Sequence, residues 1–257
     1  MKSIVVLWQR EVVRYGRDWV RVISSAVQPL TFLVIFGFGF QSTLSKAGFG
    51  IGFLQFMYPG IIAMNIMGVA MFSTISTVWD REFGFLKEIL VAPVSRTSIA
   101  LGKTLGATTI SAVTALILLV IAPFLGIHLS WYLVVFLFLM MVLLAFTISG
   151  FGLLVASLMD STERFGIVMQ FIVFPMFFLS GAFFPLTSVP HWMAAIARFD
   201  PLAYGVDAMR QIMLRGQENA ATLNQISLFP IHIDMLFLVG ISLALLTIAV
   251  VVFNKRA

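Results

Sequence analysis

Of the chain's 257 residues, 60% are hydrophobic and only 11% are charged, with a net charge of +5 and no cysteine. Soluble domains have about 25% charged residues, so this composition, with a mean hydropathy of +1.04, excludes an ordinary soluble domain. The missing cysteine excludes disulfides and thiolate metal sites, and the positive charges flank apolar runs, as membrane topology requires, so nucleic acid is not the expected partner.

Residues 1–21 carry too much charge to cross a bilayer. Arg10, Arg14, Arg17 and Arg21 repeat at i, i+4, i+7 and i+11, one helical face. Trp8, Val12, Tyr15 and Trp19 follow the same spacing two residues earlier, about 200° away on a helix. The pattern predicts an amphipathic helix lying in the membrane interface, aromatics in the acyl boundary and arginines on anionic lipid headgroups. Arg10 interrupts the first apolar run too early for a cleavable leader.

Stretches free of Asp, Glu, Lys and Arg run over 22–45, 47–79, 104–159, 165–197 and 235–254. The third holds a Gly/Pro break, Pro123 to Ser130. About 20 apolar residues cross the hydrocarbon core, so six spans are predicted, at roughly 22–41, 54–78, 100–123, 131–157, 167–184 and 234–253. One all-α membrane domain, 1–257, is expected. With both termini in the cytoplasm, twelve of the sixteen Lys and Arg fall inside, and only Lys46, Arg198, Arg210 and Arg215 fall outside. The positive-inside bias therefore places both termini in the cytoplasm.

Between spans two and three lies a charge-dense segment, 79–97. Trp79, Phe83, Leu86 and Leu90 form one apolar stripe at helical spacing, while Asp80, Arg81, Lys87 and Glu88 project elsewhere. Pro93 ends the helix, and Ser95, Thr97 and Ser98 offer a cap for span three. Three readings fit: a helix lying passively on the membrane, a solvated loop, and a helix docking its apolar face in a groove of a protein partner. The balanced charge disfavours the first and the stripe disfavours the second. Gly102-Lys103-Thr104 resembles the end of a phosphate-binding loop, but Thr97 stands where the motif needs Gly and no strand precedes it. Gly102 and Gly106 instead form a small-xxx-small pair for close helix packing within the subunit.

Span five is rich in Phe, and Phe171, Phe174 and Phe178 share a face; Pro175 interrupts it. Packing or lipid contact explains such a face as well as any site does. Residues 185–232 are too polar overall to cross. Two short helices bounded by Pro190 and Pro201 are expected there, with Trp192 and Tyr204 as interfacial anchors and Asp207 and Arg210 as a structural pair at i, i+3. The predicted span cores hold no ionisable residue, which argues against an ion-coupled carrier. No cluster of metal-ligating or nucleophilic residues is evident, so neither a resident cofactor nor an enzyme activity is expected on this chain.

Two motifs carry a family resemblance. The first is Glu82, Gly84, Ile89, Leu90 and Pro93, followed by Leu101-Gly-Lys-Thr-Leu-Gly-Ala107. The second is Ser180-Gly181 and Pro185 at the end of span five, then Pro201, Tyr204 and Arg210. With the span count, they make nearly the whole chain resemble the type-2 ABC exporter permeases. The resemblance implies that 80–93 is a cytoplasmic coupling helix. Trp79, Glu82, Phe83, Gly84, Leu86, Leu90 and Pro93 would then dock on an ATP-hydrolysing subunit, and Asp160-Ser-Thr-Glu-Arg164 would offer a second contact. It implies two ATPase copies carrying ATP and Mg, and a homodimer or a heterodimer with a paralogue, in a bacterial-type inner membrane. It also implies that the external helices partly re-enter the membrane, so that Pro185, Pro201, Tyr204 and Arg210 mark an external gate. In a dimer, Phe171, Phe174 and Phe178 become candidate pathway lining. The cargo class stays open between hydrophobic or lipid-linked molecules and polysaccharide. A non-transporting membrane scaffold and an ion-coupled carrier remain the rival readings.

Overall fold

The computed structural model describes residues 2–44, 52–85, 94–215 and 226–256. Leu86, Leu90 and Pro93 of the expected docking stripe lie outside them. α1 (Lys2–Arg17) leads straight into α2 (Trp19–Leu44); α3 (Phe53–Ser73) continues through Thr74 into α4 (Ile75–Glu82). α5 (Arg96–Leu119) is followed by a 3-10 turn, then α6 (Trp131–Leu158) and α7 (Thr162–Leu179). After α8 (His191–Ala197) and α9 (Pro201–Leu214), α10 (Ile231–Arg256) closes the chain. Among the described residues, six units are long and apolar enough to cross a membrane: α2, α3 with α4, α5, α6, α7 and α10. The protein is thus the expected all-helical, six-span chain.

Local chemistry sets the boundaries. Ser95 caps α5, its Oγ accepting from Ser98 N at 3.2 Å. Ser161 caps α7 in the same way, through Arg164 N. Pro123 and Gly126, the latter at φ +76°, make the break between α5 and α6.

The core centres on α3. In its most apolar stretch 78% of the α3–α4 span is buried, against 17% for α2 and for α7. Met57, Ile62, Ile66 and Met67 are wholly excluded from solvent, and they join a cluster with Met141, Leu144 and Ile148 of α6. The Tyr58 hydroxyl donates to the Leu118 carbonyl, tying α3 to the end of α5. α2 and α7 lie at the margin of this core, side by side with α3.

Two sequence expectations change here. The aromatic and arginine stripes of α1 do not simply divide between acyl chains and headgroups. Leu7, Glu11 and Tyr15 are buried; Trp8 Nε1 donates to Thr109 Oγ1 at 2.9 Å, and Tyr15 Oη to Ser25 Oγ at 3.0 Å. Trp19 alone of the stripe is broadly exposed. Tertiary partners offered these polar tips better hydrogen bonds than an interface does. Likewise, the expected surface helix after Pro201 is an interior one. Every residue of α9 except Gln211 is buried, and its Gly205 sits so close to Leu144 of α6 that an added Cβ would come within 2.6 Å.

Candidate functional site

At the end of the bundle that holds α1, four charged side chains meet. Lys103 Nζ donates to Asp80 Oδ2 at 2.6 Å and lies 3.7 Å from Glu11 Oε1. Arg10 donates to the same Asp80 oxygen at 2.7 Å and to Glu11 at 3.0 Å. Lys103 is 2% exposed and Asp80 5%. Two cations and two carboxylates cancel, which makes their burial tolerable. Burial works against the Arg10 charge, but the hydrogen bonds and charges of Asp80 and Glu11 outweigh it and raise its pKa. Asp80 and Lys103 both lie within candidate spans, contrary to the expectation of charge-free span cores. Each sits near its span's end, and the partner sits across the helix–helix contact.

Close approach makes this junction. A Cβ on Gly102 would meet Leu7 Cβ at 2.7 Å, and one on Gly106 would meet Glu11 Cβ at 2.7 Å. The small pair therefore serves crossing of α5 by α1 inside the subunit, as expected. Gly106→Val is expected to push α1 off α5 at a cost of about 1–3 kcal/mol. Earlier thermal unfolding in detergent checks this, with Gly240→Val, which meets nothing within 4 Å, as the control.

From the junction α4 projects onward. Arg14 stacks over Trp79, 4.6 Å from the ring centroid, so Trp79 is half-buried. Arg81 NH1 donates to the Ser157 and Met159 carbonyls, both at 3.0 Å, and lies 3.8 Å from Asp160. Glu82 Oε2 accepts from Thr162 N at 3.0 Å, at the start of α7. The 160–164 turn is thus strapped to the end of α4, and the two segments form one surface. Here the single 79–90 helix is corrected. Gly84 takes φ +81°, a conformation that costs glycine little, and the helix stops at Glu82. Trp79 belongs to the span's extension and is occupied by Arg14; Glu82 is occupied by α7. Phe83 and Phe85, 69% and 55% exposed, are the most open apolar groups described on this surface.

A second feature lies between α2, α3 and α7. A cavity of about 430 Å³ is walled by Phe174, Phe177 and Phe178, with Arg21, Ser24, Ser25, Gln28, Asn65 and Gln170 among its polar points. Asn65 Nδ2 donates to Ser25 O at 2.6 Å, while its buried Oδ1 has no hydrogen-bond partner among the described residues. Phe171 does not line this cavity; it borders another, against α10 and α8. The three-residue face is therefore split, because the shared stripe is wider than the gap between helices.

At the opposite end, Arg210 is buried. It donates to Phe56 O at 3.2 Å and Gly181 O at 2.7 Å, and its guanidinium stacks on Phe56 at 3.9 Å. Asp207 Oδ2 accepts from Leu228 N and Phe229 N. The two are not an ion pair; among the described residues each bonds elsewhere. Tyr204, expected as an interfacial anchor, is buried instead. Its ring stacks on Phe237 at 3.8 Å and Phe229 at 5.4 Å, and its hydroxyl donates to Arg198 O at 2.8 Å. Pro201 opens α9 under the Asp200 cap, and Pro185 opens the 3-10 turn Leu186–Ser188. Trp192 remains exposed. Spacing alone carried no signal for the Asp80–Lys103 pair or for Asn65.

A family model described as ABC-2 type transporter matches residues 2–214. The chain is 31% identical over 243 residues to ycf38 of Cyanophora paradoxa, which bears a transport permease name, covering 91% of this chain and 82% of that protein. It is 29% identical over 216 residues to the inner membrane transport permease YadH of Escherichia coli K12, covering 82% and 81%. Nodulation protein J of Rhizobium leguminosarum bv. viciae is 26% identical over 242 residues, covering 93% and 92%.

Proposed function

The chain belongs to the ABC-2 type transporter family as a multi-pass membrane permease, and we propose that it serves an exporter whose ATP is hydrolysed on a separate chain. Two ATPase subunits would press on the surface formed by α4, Phe83, Phe85 and the 160–164 turn. The observation that carries the reading is the pair of exposed rings, Phe83 and Phe85. They sit beyond a span whose end is locked to α1, α5, α6 and α7 by charge and hydrogen bonds. A push on the rings would reach the spans without slack. The positive-inside bias puts this surface and both termini in the cytoplasm.

Two copies, or one copy and a paralogue, would enclose the pathway. The sparse burial of α2 and α7 supports this, since such long apolar flanks suit a second subunit as well as lipid. The cavity of Phe174, Phe177 and Phe178 would then face the partner, and its mostly apolar wall supports a hydrophobic or lipid-linked cargo. α8 and α9 would re-enter the membrane from outside and cap the path, with Pro185, Pro201, Tyr204 and Arg210 holding the cap in shape.

Purification from native membranes in mild detergent tests this. The wild type is expected to bring an ATPase subunit with it. Phe83→Glu, Leu86→Glu and Leu90→Glu are each expected to lower recovery about tenfold or more, the loss typical of a central apolar anchor. If no ATPase accompanies the wild type under gentle conditions, the scaffold and ion-coupled carrier readings replace this one.

A further inference from the structure

Asp200 does more than an N-cap requires. Its Oδ1 accepts from Leu202 N at 2.8 Å and so caps α9. A serine or asparagine would do as much. Its Oδ2 is buried with no hydrogen-bond partner among the described residues, and the residue is 7% exposed. A buried carboxylate oxygen without a donor is costly, and burial pushes the Asp200 carboxyl pKa up to about 7, so its ionised form is favoured only when a cationic donor arrives from outside the chain.

The surroundings specify what kind. Asp200 lines a cavity of about 360 Å³ and is the one charged residue in its wall among the described residues. Phe151, Phe171, Ile241 and Leu245 make the wall apolar. Ile241 and Leu245 stand ten and fourteen residues into α10, about 15 and 21 Å along its axis. The cavity therefore runs along the helices and is not a dimple at their end. Phe171 and Phe199 at its rim are 78% and 83% exposed, so it opens sideways, on the apolar flank of the bundle. One anionic acceptor in an apolar slot selects against anions and against polar bodies.

We propose that this cavity binds a lipophilic ammonium, its N–H donating to the Asp200 carboxylate and its alkyl body lying among Phe171, Ile241 and Leu245. The ammonium supplies both the missing donor and the missing countercharge. Its source is either the headgroup of phosphatidylethanolamine from the bilayer or a lipophilic amine that the protein handles.

The test uses the full chain in phosphatidylcholine vesicles and photoreactive dodecyl probes that differ only in head group: ammonium, alcohol or sulfate. Labelled peptides are mapped by mass spectrometry. Binding requires neither ATP nor an ATPase subunit, so its failure and the failure of the export reading are separable. The ammonium probe is expected to label the peptides holding Phe171 and Phe199 about tenfold more than the other two, the advantage of a charge-assisted hydrogen bond. Asp200→Asn keeps the capping oxygen and is expected to erase the preference. Leu245→Trp, which fills the cavity and leaves the carboxylate, is expected to remove the labelling. Competition by added phosphatidylethanolamine identifies the lipid headgroup as the occupant; a preference that survives its addition identifies a handled amine. Equal labelling by all three probes, or a preference that persists in Asp200→Asn, overturns the proposal.

Discussion

Asp80→Ala is expected to destabilise the folded protein by about 3–5 kcal/mol, the usual cost of leaving a buried charge without its partner. Lys103, 2% exposed, would keep Glu11 at 3.7 Å but lose its 2.6 Å contact. Arg10 would lose its shorter carboxylate bond at the same time. The expected signs are reduced yield and a lowered midpoint of unfolding in detergent. Lys103→Met alone should also be harmful, because it strips one of the two cations from Asp80. The double variant Asp80→Leu with Lys103→Met should recover much of the loss, since apolar replacement of a buried pair is often neutral. A double variant no better than Asp80→Ala would show that these charges do not act as a unit. Protein that survives Asp80→Ala would still have α4 loosened from α1 and α5. On the proposed mechanism its transport should fall further than its ATPase recovery.

Gly60→Val is the second large effect. A Cβ at Gly60 would stand 2.6 Å from Ala182 Cβ, 2.7 Å from Ala182 Cα and 3.0 Å from Ala182 O. Two of those atoms are backbone, which cannot step aside as a side chain can. Ala182 follows Gly181, which holds φ +73° and whose carbonyl accepts from Arg210. Displacing this turn would break the Arg210 bond and leave a buried guanidinium short of an acceptor. Overpacking alone costs about 1–3 kcal/mol, and the lost hydrogen bond to a charged group adds to it. Thermal unfolding checks the result against Gly68→Val on the same helix, where nothing stands within 4 Å. Equal stability of the two variants would contradict this account of how α3 meets the turn after α7.

Six spans, a cap among Ser95, Thr97 and Ser98, the break at Pro123 and the close pair Gly102 and Gly106 were all readable along the chain. Each rests on local physics: the length of an apolar run, a side chain reaching back to its own helix, a ring that fixes φ, a missing Cβ. Tertiary structure decided the rest. The stripe from Trp79 to Leu90 read as one helix because periodicity cannot see Gly84 leaving the helical region. Tyr204 read as an anchor because its depth depends on α9 being packed inside the bundle. Phe171 parted from Phe174 and Phe178 because neighbouring helices, not spacing, divide a face between two cavities. Asp80 and Lys103 are 23 residues apart and Arg10 is 70 from Asp80. Apolar burial and local propensity are properties of a residue and its sequence neighbours, so a chain read in order reveals them. Which polar groups share a buried space depends on how helices cross, and only the assembled bundle brings Arg10, Glu11, Asp80 and Lys103 into contact.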